Sequence, residues 1–193
     1  MSIDRAELLA EVCELIAQGG AEQAKARLRT KYPSGTRTTL RSRWPLSRLV
    51  AVFFRDAFTD RYSGTRLVFP GTLRALSLLL GKSFPYHPNW KQSATHPAFW
   101  ELYPTIDHVI PVARGGADHE SNVVTTSMLR NTAKANWLLE ELGWPVPREP
   151  SESGWDGLLG WFFSIWSKEG ALRRDQAMQR WYKAARDAKA GLT

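Results

Sequence analysis

Cysteine is nearly absent. Cys13 is the only one in 193 residues, so no disulfide can form within the chain, and a reducing, cytoplasmic setting is expected. Long apolar runs are missing as well. Asp4, Arg5, Glu7, Glu11 and Glu14 interrupt the N-terminal hydrophobic residues, and Gly157–Trp166 is too short and too glycine-rich to cross a bilayer. Neither a secretory signal nor a membrane partner is expected. Histidine is scarce, and the spacing of His87, His96 and His119 fits no zinc pattern, which leaves them as loop histidines with ordinary hydrogen bonds. Acidic residues vanish from one stretch. Residues 25–48 hold eight basic side chains (Lys25, Arg27, Arg29, Lys31, Arg37, Arg41, Arg43 and Arg48) and no acidic one, more positive charge than the chain's net +7. The remainder is close to neutral, so the charge is localised and points to a polyanionic partner. Arg37, Arg41 and Arg43 are the expected phosphate contacts.

Tryptophan, by contrast, is abundant, with nine in the chain, and large aromatic side chains can supply much of a small core. The cluster Trp155, Trp161, Phe162, Phe163 and Trp166 is expected to be core or interface, not a platform for stacked bases. Periodicity predicts a capped helix from Asp4 to Gly19-Gly20, a second helix over 21–30 and a buried helix opening at Pro45. A turn over 60–64, a short strand over 66–69 and a helix over 70–80 should follow. The later chain reads as strand 105–111, glycine-rich loop 114–121, strand 123–126 and helix 127–142. Pro145–Gly154 looks like a linker, and helices are predicted over 155–167 and 171–189.

The chemistry concentrates in residues 107–134, DHVIPVARGGADHESNVVTTSMLRNTAK. Asn122 comes fourteen residues after His108, Asn131 nine after that, and Lys134 three later. Folded as a hairpin onto a helix, this segment could bring Asp107, His108 and Asn131 to one point. An Asp and an Asn offer hard oxygen ligands suited to Mg²⁺ that keeps several waters. A neighbouring histidine can take a proton from water at neutral pH. Phosphodiester hydrolysis needs both.

The segment resembles the HNH motif of the ββα-metal (His-Me finger) nucleases. That resemblance covers about residues 53–136 and is strongest over 107–134. It implies His108 as general base, Asp107 and Asn131 as ligands of Mg²⁺ or Mn²⁺, and Asn122 as a loop-fixing residue that helps orient the base. It also implies an α+β fold in which a ββα-metal core is embedded in a mainly helical protein. The expected organisation is a basic helical arm over 1–44, the nuclease core over 45–144 and a C-terminal helical hairpin over 145–193 that packs on that core. Arg114 and Lys134 join the three arginines as candidate nucleic-acid contacts, each weighed against a plain solvated role. Many HNH proteins carry a zinc between two Cys-x-x-Cys pairs. Those positions fall here on Asp60 and Ser63, and on Ser127 and Arg130, so no structural zinc is expected. An Asp60–Arg130 ion pair is expected in its place.

The resulting expectation is a metal-dependent endonuclease of double-stranded DNA. Two other classes stay open at this point: a non-catalytic DNA-binding or packaging accessory, and an RNA-cleaving enzyme of the same fold, since a backbone-gripping hairpin does not itself select deoxyribose.

Overall fold

The protein is represented by a computed structural model that describes residues 4–32, 44–150 and 154–191. It divides into two compact units, Met1–Thr39 and Leu40–Thr193. Leu159, Phe162, Leu172, Met178 and Ala185 from the C-terminal part of the chain belong to the same core as Val50 and Phe53. The chain is mostly helical with one small antiparallel sheet. Among the described residues no helix is long and apolar enough to cross a membrane.

The first unit is a helix pair, α1 (Arg5–Ala17) and α2 (Ala21–Lys31). Asp4 caps α1 by accepting from the backbone of Ala6 and Glu7, and Leu8, Val12 and Ala24 are buried. Part of the basic stretch is neutralised locally. Arg27 binds Glu11 at 2.7 Å, Lys25 binds Glu22 at 2.7 Å, and Arg48, in the second unit, binds Glu120 at 2.9 Å. Arg37, Arg41 and Arg43 lie outside the described residues.

In the second unit, α3 (Leu46–Arg55) packs on α10 (Gln176–Ala190). Ala184, Ala185 and Ala188 are buried on α10, and such small side chains let a neighbouring helix approach closely. Val50 and Phe53 of α3, Phe58, Phe69, Phe162 of α8 (Leu159–Lys168), Leu172 and Met178 complete the core. Trp155, Phe163 and Trp166 pack against it as expected, while Trp161 is more exposed. A second cluster joins Leu73 of α4 (Pro70–Leu80) to Phe99 of α5 (Ala98–Glu101). The strand expected over 66–69 does not form. Leu67, Val68 and Phe69 donate to Phe58, Leu102 and Gly157 respectively, three segments instead of one partner strand, and only a Thr59–Arg66 bridge remains.

The sheet pairs β1 (Pro104–His108) with β2 (Val123–Ser127), with Asp107 opposite Val124 and His108 opposite Val123. A two-stranded hairpin is marginal in water, and this one is held from its outer edge. The backbone N–H groups of Thr125 and Ser127 donate to the buried carboxylates of Asp56 (2.7 Å) and Asp60 (3.0 Å), and Arg61 N donates to Thr125 O (2.9 Å). Asp56 is itself clasped by Arg55, through two bonds of 2.9 and 3.0 Å, and by Arg61 at 2.6 Å. Residues 145–150 are not a loose linker either, since Arg148 N donates to Arg61 O at 2.7 Å and Arg61 Nε donates to Arg148 O.

Two helices expected as continuous are broken. The run 127–142 becomes α6 (Met128–Lys134) and α7 (Leu139–Leu142); Ala135 turns left-handed at φ 47°, and Glu141 Oε2 accepts from Leu138 N to start the next turn. The last helix is split into α9 (Gly170–Arg174) and α10 at Asp175, which caps α10 through Met178 N and binds Arg74 at 3.2 Å. Burial pushes the Asp175 carboxyl up, but the Met178 N–H and the Arg74 guanidinium outweigh that and hold it below the usual carboxylate range. A depressed carboxyl contributes stability that is fully present above its unfolded pKa and is lost as pH falls through the lowered native value. Asp175→Ala should therefore cost about 1 kcal/mol at pH 7. In urea denaturation its gap from the wild type should narrow below about pH 4.

Candidate active site

Asp107 sits one residue from the end of β1 with its carboxylate turned inward. Its Oδ2 accepts from the Tyr62 hydroxyl at 2.6 Å and faces Lys134 Nζ at 2.9 Å. Burial, then the charge of Asp107, pushes the Tyr62 phenol far up, so it stays protonated and donates. Lys134 also donates to His108 O at 2.8 Å. Its relative exposure is 0%, so neither role considered for it from sequence is open to it here, whether phosphate contact or solvated helix residue. It is the internal counter-charge of Asp107.

Asn131 lies one helical turn before Lys134 and is held on the same strand, its Nδ2 near Thr105 Oγ1 and Ile106 O, both at 3.3 Å. Helix α6 thus runs along β1 with two side chains clamped to strand carbonyls. Asn122 behaves as a loop-fixing residue. Its Oδ1 accepts from Ile110 N at 3.0 Å, and its Nδ2 donates to Ile110 O at 2.8 Å and Ala117 O at 2.9 Å. The amide takes both backbone groups of Ile110, which is why β1 stops at His108 and does not run on to Pro111.

The loop so pinned has no spare room at Gly116. A Cβ there would stand 1.8 Å from Ile110 O and 2.8 Å from Asn122 Nδ2, whereas at Gly115 (φ +94°) it would meet open space. Gly116→Ala must therefore break the Asn122 clamp, and Gly115→Ala carries only backbone strain of about 1–2 kcal/mol. Thermal denaturation should show the larger loss at Gly116; equal losses would mean that the clamp is not rigid.

His108 is buried at the strand end, its Nε2 2.9 Å from Asp118 Oδ1. Trp44 Nε1 donates to that same oxygen at 3.0 Å. Successive strand residues face opposite sides, and here Asp107 meets Tyr62 and Lys134 while His108 meets the loop. Among the described residues no hydrogen bond joins the His108 ring to Asp107 or Asn131. Arg114 is half-exposed, and its guanidinium is engaged by Glu141 of α7. His87, His96 and His119 accept local backbone hydrogen bonds from Asn89, Ala98 and Ser121. Sequence reasoning missed Tyr62, Asp118 and Trp44. Asp118 carried a faint signal, a carboxylate in the glycine-rich loop ten residues after the histidine; Tyr62 and Trp44 carried none.

Ser63, Ser127 and Arg130 converge on the carboxylate of Asp60. Asp60 Oδ1 accepts from Tyr62 N (3.0 Å) and Ser63 N (3.1 Å), and Oδ2 from Thr126 Oγ1 and Ser127 N (both 3.0 Å). Arg130 Nε stands 3.5 Å from Oδ2, with its guanidinium over the Trp144 ring.

A divalent cation would find hard donors here. Asp107 Oδ1 and Asn131 Oδ1 accept no hydrogen bond among the described residues, because Tyr62 and Lys134 occupy the other carboxylate oxygen and the strand occupies the amide nitrogen. No group of three His, Cys, Asp or Glu side chains arranged as metal ligands occurs among the described residues. A carboxylate oxygen and an amide oxygen are both hard donors of the kind that Mg²⁺ takes alongside water. The chain matches no family model, no curated protein and no solved structure.

Proposed function

We propose that this protein is a metal-dependent phosphodiester hydrolase of the HNH type. More narrowly, it is read as an endonuclease acting on double-stranded DNA. The observation that supports the reading is the pairing of Asp107-His108 at the end of one strand with Asn131 clamped to that strand from the following helix. Asp107 and Asn131 would hold Mg²⁺ or Mn²⁺, which supplies positive charge at the scissile phosphate and leaving oxygen. His108 is the general base that takes a proton from the attacking water. Lys134 and Tyr62 both engage one Asp107 oxygen and leave the other available. Asn122 holds the loop that carries Asp118, the partner of the base. The basic residues of the 25–48 stretch supply phosphate contact, with part of that charge already taken by internal partners.

The test is incubation of purified protein with supercoiled plasmid and with RNA, in Mg²⁺, Mn²⁺ or EDTA. Nicking or linearisation that EDTA abolishes is the expected result. Binding without cleavage would leave an accessory protein, and cleavage confined to the RNA lane would replace the DNA assignment.

A further inference from the structure

We propose that Asp118 is the positioning residue for His108, with Trp44 fixing its carboxylate; the catalytic part of this rests on the nuclease reading above. The Trp44 indole N–H is only a donor, and it meets Asp118 Oδ1 at 3.0 Å. His108 Nε2 meets the same oxygen at 2.9 Å. A carboxylate only accepts, so the ring hydrogen resides on Nε2 and the lone pair is left on Nδ1. One oxygen thereby sets which nitrogen can take a proton from water and restrains rotation of the ring. Trp44 is held in its turn. The Arg48 guanidinium lies 3.7 Å from the centre of its ring, and Arg48 Nε binds Glu120 at 2.9 Å. Glu120, Arg48, Trp44 and Asp118 form a continuous brace that ends on the base, drawn from α3 and the residue before its cap and from the glycine-rich loop. None of these four side chains touches Asp107 or Asn131 through a hydrogen bond among the described residues.

Asp118→Ala removes the acceptor. It should lower kcat on plasmid at least about tenfold, a part of what a general base contributes, with KM and DNA affinity unchanged. Asp118→Asn keeps an oxygen for both donors and should restore most of the kcat. Trp44→Phe keeps an aromatic ring, though a smaller one, but deletes the N–H, and should fall between them. The ¹⁵N shifts of the His108 ring, read at pH 8 without added metal, provide a measure independent of activity. Wild type and Asp118→Asn should carry the hydrogen on Nε2, and Asp118→Ala should show a mixture. A wild-type ring with its hydrogen on Nδ1 would overturn the proposal, as would Asp118→Ala cleaving at the wild-type kcat. Should Asp118→Ala fail to fold, an Asp118→Asn ring that has lost the Nε2–H form, or a Trp44→Phe kcat equal to wild type, would overturn it. A wild type that cleaves nothing, yet loses the Nε2–H form on Asp118→Ala, would sink the nuclease reading and leave the Asp118 assignment in place.

Discussion

Replacing His108 with alanine is expected to abolish plasmid cleavage while leaving DNA affinity within about twofold of wild type. A positioned base contributes about 10²–10⁴-fold in rate, and affinity for DNA comes mostly from phosphate neutralisation by basic residues. His108 is buried at the strand end and its ring is engaged by Asp118, so its removal takes away no surface charge. The measurement pairs single-turnover cleavage with fluorescence anisotropy on the same duplex. Turnover at the wild-type rate would end the assignment. Asn131→Ala should also inactivate, with part of its activity returning at raised Mn²⁺, because on the proposed reading it deletes a ligand and spares the base. Asp107 needs a gentler change. Alanine there would strand the buried Lys134 ammonium and the Tyr62 hydroxyl, so lost activity would be confounded with lost stability. Asp107→Asn leaves both donors an acceptor and is the informative variant.

The second large effect concerns stability. Asp60→Ala should cost about 3–5 kcal/mol, because four donors converge on that carboxylate in a place that is 1% exposed. From sequence, Asp60 and Arg130 look like equal halves of one ion pair. The structure makes them unequal. Arg130 is 37% exposed, stands 3.5 Å away and also packs over Trp144, so Arg130→Met should cost about 1 kcal/mol or less. Removing Arg130 leaves Asp60 with all four of its hydrogen bonds; removing Asp60 leaves two turn amides, a hydroxyl and a strand amide without an acceptor. Chemical denaturation of both variants decides the point. Similar losses would show that the charge pairing, not the hydrogen-bonded carboxylate, holds the turn to β2 and α6.

Local signals carried far in this sequence where they were chemical. Pro70 opens α4, Gly81 follows its end, Asp4 caps α1, and the segment from Asp107 to Lys134 folds as strand, loop, strand and helix. Asn122 could be read as a loop clamp because an amide can satisfy a backbone donor and an acceptor together. What stayed hidden were pairings between distant positions. Tyr62 reaches Asp107 across 45 residues, and Trp44 reaches Asp118 across 74, and no periodicity encodes such meetings. Lys134 misled because a lysine on a short polar helix ordinarily points to water; only a buried partner charge keeps it inside. The strand expected over 66–69 failed for a related reason. Its hydrophobic run suits an extended conformation, but its three amides are claimed by three separate segments.

The two carboxylates along β2 also decide what the sheet cannot become. A strand edge with unmet amides is a template on which another chain can add. Here the outward amides at Thr125 and Ser127 already end on Asp56 and Asp60, and both acids are buried and hydrogen-bonded. An incoming strand would have to displace two desolvated anions before forming its first bond. The hairpin is thereby sealed at two strands, and the same residues that hold it to α3 and the following turn protect the folded protein from self-association through that edge.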